Sequence, residues 1–281
     1  MIEQYIPLLN IGPGTQPEDE DVLEYISMPQ GMATHVAPQL PEPEEIARHP
    51  GARRVLQELL DLLRQCGDGR TPCGLDLRGL DAAERALLDQ LLGEGEVSVR
   101  VGEGAAALRV QESIFAGVWR LVGPDCDRLE VGAAPALLRP AALAASQPGR
   151  LDASRPVPAG VMNAPAILTE LADRCRSWQP GQPAHVINLT LLPLSPDDVA
   201  FLDASLGAGP VLALARGYGN CRLQSSLAPH CWRVSYFNSQ DALILDTIEV
   251  TDLPEVIGAA PEDLADSLER FADVIQWFEG Q

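Results

Sequence analysis

The chain has 281 residues, 46% hydrophobic and only 5% aromatic, so its interior must be filled mainly by Leu, Val and Ala. With 40 acidic residues against 20 basic ones the formal net charge is −20, a field that argues against nucleic-acid and membrane-surface binding. Every base is Arg; the lack of lysine removes Schiff-base, Walker-type phosphate-binding and Ser–Lys chemistry together.

Residues 1–49 carry nine acids (Glu3, Glu18, Asp19, Glu20, Asp21, Glu24, Glu42, Glu44, Glu45), one base, Arg48, and frequent prolines. No hydrophobic period survives there, and an extended arm is expected, ordered only where it docks. Neither a positive leader region nor an apolar run of about 20 residues is present, so a cytoplasmic location is expected. From Pro50 the pattern turns periodic. Val55, Leu56, Leu59, Leu60, Leu62 and Leu63 make a helical stripe, residues 74–78 read as a strand, and Asp81 caps a second helix ending at Gly93. Strands follow over 96–101, 107–111, 116–122 and 128–131.

The same order recurs at an offset of 112 to 114 residues. Ile167-Leu168 answers Val55-Leu56, Ile187-Asn188-Leu189 answers Leu75-Asp76-Leu77, and Leu206-Gly207 answers Leu92-Gly93. Arg222-Leu223-Gln224 and Trp232-Arg233 answer Arg109-Val110-Gln111 and Trp119-Arg120. A constant offset across so many elements marks an internal duplication. The expected fold is α/β (α+β): two tandem repeats, 50–139 and 163–257, each helix–strand–helix followed by three or four strands. The strand–helix–strand step favours a parallel crossover and the tight returns favour antiparallel neighbours, so a mixed sheet is expected. Residues 140–162 read as an Ala/Pro/Ser linker. Residues 258–281 read as an amphipathic helix opened by Pro261, with Leu264, Leu268, Phe271, Ile275 and Phe278 on its apolar face.

No catalytic or cofactor motif assembles. The glycine pairs at 12/14, 93/95, 207/209 and 217/219 match neither GxGxxG nor a P-loop, and Gly93 and Gly207 sit where helices must end. The six cysteines include no C-x-x-C pair, and buried free thiols are expected. Cys221, His230 and Cys231 begin successive strands. If those strands bring them together, soft-metal or redox chemistry is open; otherwise they are two core thiols and a surface histidine. Trp119 and Trp232 alternate with Arg120 and Arg233, placing each indole in the core and each guanidinium on the other face.

Several stretches carry a resemblance: Gly12-Pro13-Gly14-Thr15-Gln16, the block from Leu91 to Arg100, the block from Gln111 to Arg120, Ile187-Asn188-Leu189-Thr190, Gly217-Tyr218-Gly219, and Ala259 to Leu264. Together they resemble the HupH/HyaF/HoxQ family of nickel–iron hydrogenase maturation proteins, almost end to end. The resemblance implies a chaperone-like assembly factor, and the missing catalytic and cofactor motifs give the expectation that it is no enzyme and holds no cofactor. Its implied partner is the iron–sulfur small-subunit precursor of an uptake hydrogenase before export, with a thioredoxin-like maturation protein as a companion. On that reading the candidate partner-binding residues are Gly12, Gly14, Gln16, Tyr25, Glu94, Glu96, Tyr218 and Asn220. The alternative is a metal- or redox-active accessory protein using Cys221, Cys231 and His230 in cluster assembly.

Overall fold

A computed structural model of the chain describes residues 40–66, 73–147, 149–152, 156–217 and 219–280. Helices α1 (Pro43–Arg48) and α2 (Pro50–Cys66) precede strand β1 (Cys73–Asp76) and helix α3 (Ala82–Leu92). Strands β2 (Val97–Val101), β3 (Leu108–Glu112), β4 (Val118–Gly123) and β5 (Cys126–Val131) follow, then helix α4 (Leu138–Ala144). The second half repeats the plan with α5 (Ala164–Ser177), β6 (His185–Asn188), α6 (Pro196–Leu206), β7 (Ala208–Ala215), β8 (Asn220–Ser226), β9 (Cys231–Phe237) and β10 (Leu243–Val250). Helix α7 (Pro261–Glu279) closes the chain.

The strands form a single ten-stranded sheet in the order β1-β5-β4-β3-β2-β7-β8-β9-β10-β6. Exchanging each strand for its counterpart in the other half reproduces this order read backwards, as a duplication joined at β2 and β7 requires. All pairings among the described residues are antiparallel, which corrects the expected mixed sheet. β1 and β2 do run in the same direction, but β5, β4 and β3 lie between them, so the crossover through α3 spans a meander rather than joining neighbours.

Two boundaries also differ from expectation. Residues 43–48, read as part of the arm, are helical because Pro43 takes the first turn, Glu44 and Glu45 complement the dipole, and Ile46 is buried. Residues 138–144, read largely as linker, form α4, whose Leu138 packs on the sheet. The thiol expectation is corrected as well: Cys66 and Cys73 are joined in a disulfide across residues 67–72.

One sheet face carries α2 and α3 over the β1/β5 end and α5 and α6 over the β6/β10 end, forming two separate cores. The other face has a continuous core crossing the seam, with Val97, Val99, Trp119, Val211, Ala213 and Trp232 covered by α4 and the chain around Leu253 and Ile257. Helix α7 packs on the first repeat, with Phe271 edge-on to Phe115 at 5.0 Å.

The same local devices build both halves. Asp81 and Ser195 cap α3 and α6 in capping boxes, and Gly93 and Gly207 end those helices at φ of 57° and 65°. Glu84 then accepts from Gly51 N–H at the start of α2 (2.7 Å), and Asp198 accepts from Met162, Asn163 and Ala164 N–H at the start of α5. Those backbone donors hold the Asp198 carboxyl well below the usual carboxylate range. Gln111 and Gln224 donate to the Gly95 and Gly209 carbonyls. Gly95 has no room for a side chain, since a Cβ would sit 2.2 Å from the Ser113 carbonyl oxygen. We therefore expect Gly95→Ala to cost about 2 kcal/mol or more in urea unfolding. Gly79→Ala, where a Cβ meets nothing within 4 Å, is the control and should stay within about 0.5 kcal/mol of the parent.

Candidate functional site

Because the described helices stand over the sheet's two ends, no described element covers the middle of that face. Two hollows lie along it, of about 440 Å³ over β2, β3 and β7 and about 330 Å³ over β8 and β9. Cross-strand partners share a face, so the register gives the lining directly. One row runs Arg109, Arg100, Leu212, Gln224, Arg233; the next runs Arg120, Gln111, Ser98, Leu214, Arg222.

The two outer arginines are clasped. Arg120 bonds to Asp89 of α3 (2.9 Å) and to Asp127 of β5, and Arg233 bonds to Asp203 of α6 (3.2 Å) and to Asp246 of β10 (2.5 Å). Each clasp ties a helix to the sheet while neutralising its guanidinium. Arg100, Arg109 and Arg222 are exposed, and among the described residues no carboxylate pairs with them. A protein of net charge −20 thus keeps an unneutralised basic strip on its only uncovered stretch of central sheet among the described residues.

The candidates named from sequence fall into three groups. Gly12, Gly14, Gln16, Tyr25 and Tyr218 lie outside the described residues. Glu94 lines the larger hollow; Glu96 accepts from Arg216 N–H through its carbonyl and lies beside Gly217; Asn220 opens β8 and donates to Asp241 (3.4 Å). These three gather at one end of the central strands, so the structure does bring them into one neighbourhood.

The third group does not assemble. Cys221 lies opposite Tyr236, five residues or about 17 Å along β9 from Cys231, and the two thiols enter cores on opposite faces. Burial pushes the Cys221 thiol up to about 11. The Cys231 thiol meets Cys175 of α5, and that contact together with burial pushes it up as well. His230 stacks on Trp178 with ring centroids 3.9 Å apart, and burial lowers its pKa. Among the described residues no group of three or more His, Cys, Asp or Glu could hold a metal ion. The converging site considered for Cys221, His230 and Cys231 is therefore corrected: adjacent strands are antiparallel, which sends their first residues to opposite ends.

Two segments, residues 50–142 and 161–278, match the family described as "HupH hydrogenase expression protein, C-terminal conserved region". The chain belongs to this family. The two matched segments coincide with the two halves of the sheet. Among its relatives, HoxQ of Cupriavidus necator, named a hydrogenase expression/formation protein, is 54% identical over 97% of both chains. HupH of Rhodobacter capsulatus, named likewise, is 46% identical over 97% of both. The hydrogenase-1 operon protein HyaF of Escherichia coli is 35% identical over 99% of this chain and 98% of its own. This member of the HupH family is thus a hydrogenase expression/formation protein, and no described helix is long and apolar enough to cross a membrane.

The family blocks that carried the resemblance are largely structural. Leu92-Gly93-Glu94-Gly95 ends a helix and delivers the chain to the seam strand, and Gln111 to Ser113 receives it. What the sequence reading missed is the arginine strip. Its signal was present as one Arg on the polar side of each of β2, β3 and β8, but nothing in the sequence says those strands are neighbours.

Glu112, at the end of β3, is nearly fully buried and accepts from Gly117 N–H (3.2 Å); burial pushes its carboxyl up to about 7. A raised folded-state pKa means the folded protein holds the proton more tightly than the unfolded chain. The protonated form is therefore favourable at low pH, and stability falls as pH rises from about 4.5 to about 7. Glu112→Gln should remove that decline, raising stability at pH 8 by up to about 3 kcal/mol relative to pH 5. Thermal unfolding across pH checks this, and an unchanged pH slope in the variant would refute the assignment.

Proposed function

We propose that this protein is a dedicated assembly chaperone for the iron–sulfur small subunit of an uptake nickel–iron hydrogenase, holding the precursor before export. The observation that carries this reading is similarity to hydrogenase expression/formation proteins along nearly the whole chain. A broad, open sheet face supports it physically, because it offers a surface for another polypeptide rather than an enclosed substrate cavity. On this reading the protein works in the cytoplasm beside a thioredoxin-like maturation partner.

The acidic residues 1–39 supply a second element of the proposal. An export-bound precursor presents positive charge next to an apolar stretch, and Glu18 to Asp21 with Val22, Leu23 and Tyr25 offer the complementary mixture. Such attraction should act mainly on a salt-sensitive association rate. Tagged protein, purified from cells making the hydrogenase, should co-purify with the small-subunit precursor and not with the exported mature enzyme. Deleting residues 1–39 should slow precursor association at least several-fold at low salt and much less at high salt. Co-purification of the large subunit alone would reject the small-subunit assignment.

A further inference from the structure

Arg100 and Arg109 face each other directly across the β2–β3 ladder. Like charges in that position destabilise a sheet, and here no carboxylate among the described residues offsets them. Arg222 stands across the seam, separated from them by Leu212 and Leu214, of which Leu214 is 40% exposed. Elsewhere on this face the protein does neutralise its arginines: Arg120 and Arg233, one strand further out on each side, each have two aspartates. The contrast lies in position. Paired guanidiniums border the strip, and free ones occupy its floor.

We propose that this strip binds an acidic, extended polypeptide segment of a partner protein, with Arg100, Arg109 and Arg222 taking its carboxylates and Leu212 and Leu214 taking an apolar side chain between them. The dimensions fit. From β4 to β9 there are five inter-strand steps, about 24 Å, which an extended chain crosses in about seven residues. Arginine forks bind carboxylates bidentately, and a shallow strip between helices gives each of them room to do so. A polypeptide is favoured over a nucleic acid because the surrounding charge of −20 repels a long polyanion, and Glu94 lines the same hollow. A short segment mixing acids with apolar residues meets the local charge without spanning the acidic surroundings. The inference assigns a surface and a chemistry, and it does not depend on which hydrogenase component is the partner.

The repeat comparison sharpens it. Arg109 and Arg222 are counterparts, as are Gln111 and Gln224 and the clasped Arg120 and Arg233. At the seam the halves differ: Ser98 and Arg100 stand on β2 where Leu212 and Leu214 stand on β7. The strip is therefore polar and charged on one side and apolar on the other, which gives a bound segment a preferred direction.

The test uses the full-length protein and three fluorescein-labelled probes of equal length: a peptide repeating Glu-Ala-Glu-Leu, the same peptide with Lys for Glu, and an oligothymidylate. Fluorescence anisotropy at low and high salt should show binding of the acidic peptide, weakened by salt, and any binding of the lysine peptide to the acidic residues elsewhere should be unaffected by the arginine substitutions below. Arg100→Glu with Arg222→Glu should weaken acidic-peptide binding at least 10-fold, and Arg176→Glu on the exposed end of α5 should leave it unchanged. Arg100→Ser should lower binding yet raise the thermal midpoint, since it relieves the facing guanidiniums; that combination cannot come from unfolding. Failure of the acidic peptide to bind, equal binding by parent and double variant, or tighter binding of oligothymidylate would each overturn the proposal. None of those outcomes touches the co-purification result, so this inference and the small-subunit reading fail separately.

Discussion

Five residue pairs between β2 and β7, from Val97 opposite Ala215 to Val101 opposite Val211, join two half-sheets into one. Without that seam each half would end in an exposed strand carrying unpaired backbone groups and apolar side chains on one face. With it, Val97, Val99, Val211 and Ala213 become the centre of a core that runs across both halves. The rest of the molecule follows. On one face each repeat sets two helices over five strands, and the strand–helix–strand crossover places them over the outer strands. The seam therefore lies where neither helix pair reaches, and the open strip is a direct consequence of fusing two half-covered sheets back to back.

The repeats then lock to one another by exchange. Helix α4 of the first half packs on β7 of the second, and α7 from the end of the second packs on α2 of the first. Removal of either helix would uncover a core belonging to the other repeat. That explains why the described residues form one compact unit although the sequence divides cleanly into two. The buried Glu112, beneath Gly117 where Leu264 of α7 closes down, sits at one of these exchange points.

Duplicated devices and diverged residues separate structure from function. Capping boxes, helix-ending glycines, the Gln111 and Gln224 amides and the arginine clasps occur twice because each half needs them to fold. The seam strands differ on this face: one half presents serine and arginine and the other leucine. In a family of hydrogenase expression/formation proteins, that asymmetric and unneutralised surface is the feature folding does not require. It is also opposite in sign to the acidic residues at the start of the sequence.

The sequence by itself determined what local physics controls. Helical stripes, capping residues, alternation in the strands and a constant offset near 113 residues were all visible, because periodicity and duplication are properties of neighbouring positions. Resemblance of a few blocks, Leu91 to Arg100 above all, was enough to point to the family. What only the tertiary structure decided are matters of which strands lie side by side. Whether β1 pairs with β2 or β5, whether the halves make two sheets or one, and whether Cys221 meets Cys231 all depend on long-range pairing that no local period encodes. The same holds for the site. Arg100, Arg109 and Arg222 lie as far as 122 residues apart in the chain and read singly as the polar side of ordinary strands. They become one surface only when β2 and β7 pair, because antiparallel register brings their side chains to the same face, with none of the described helices above them.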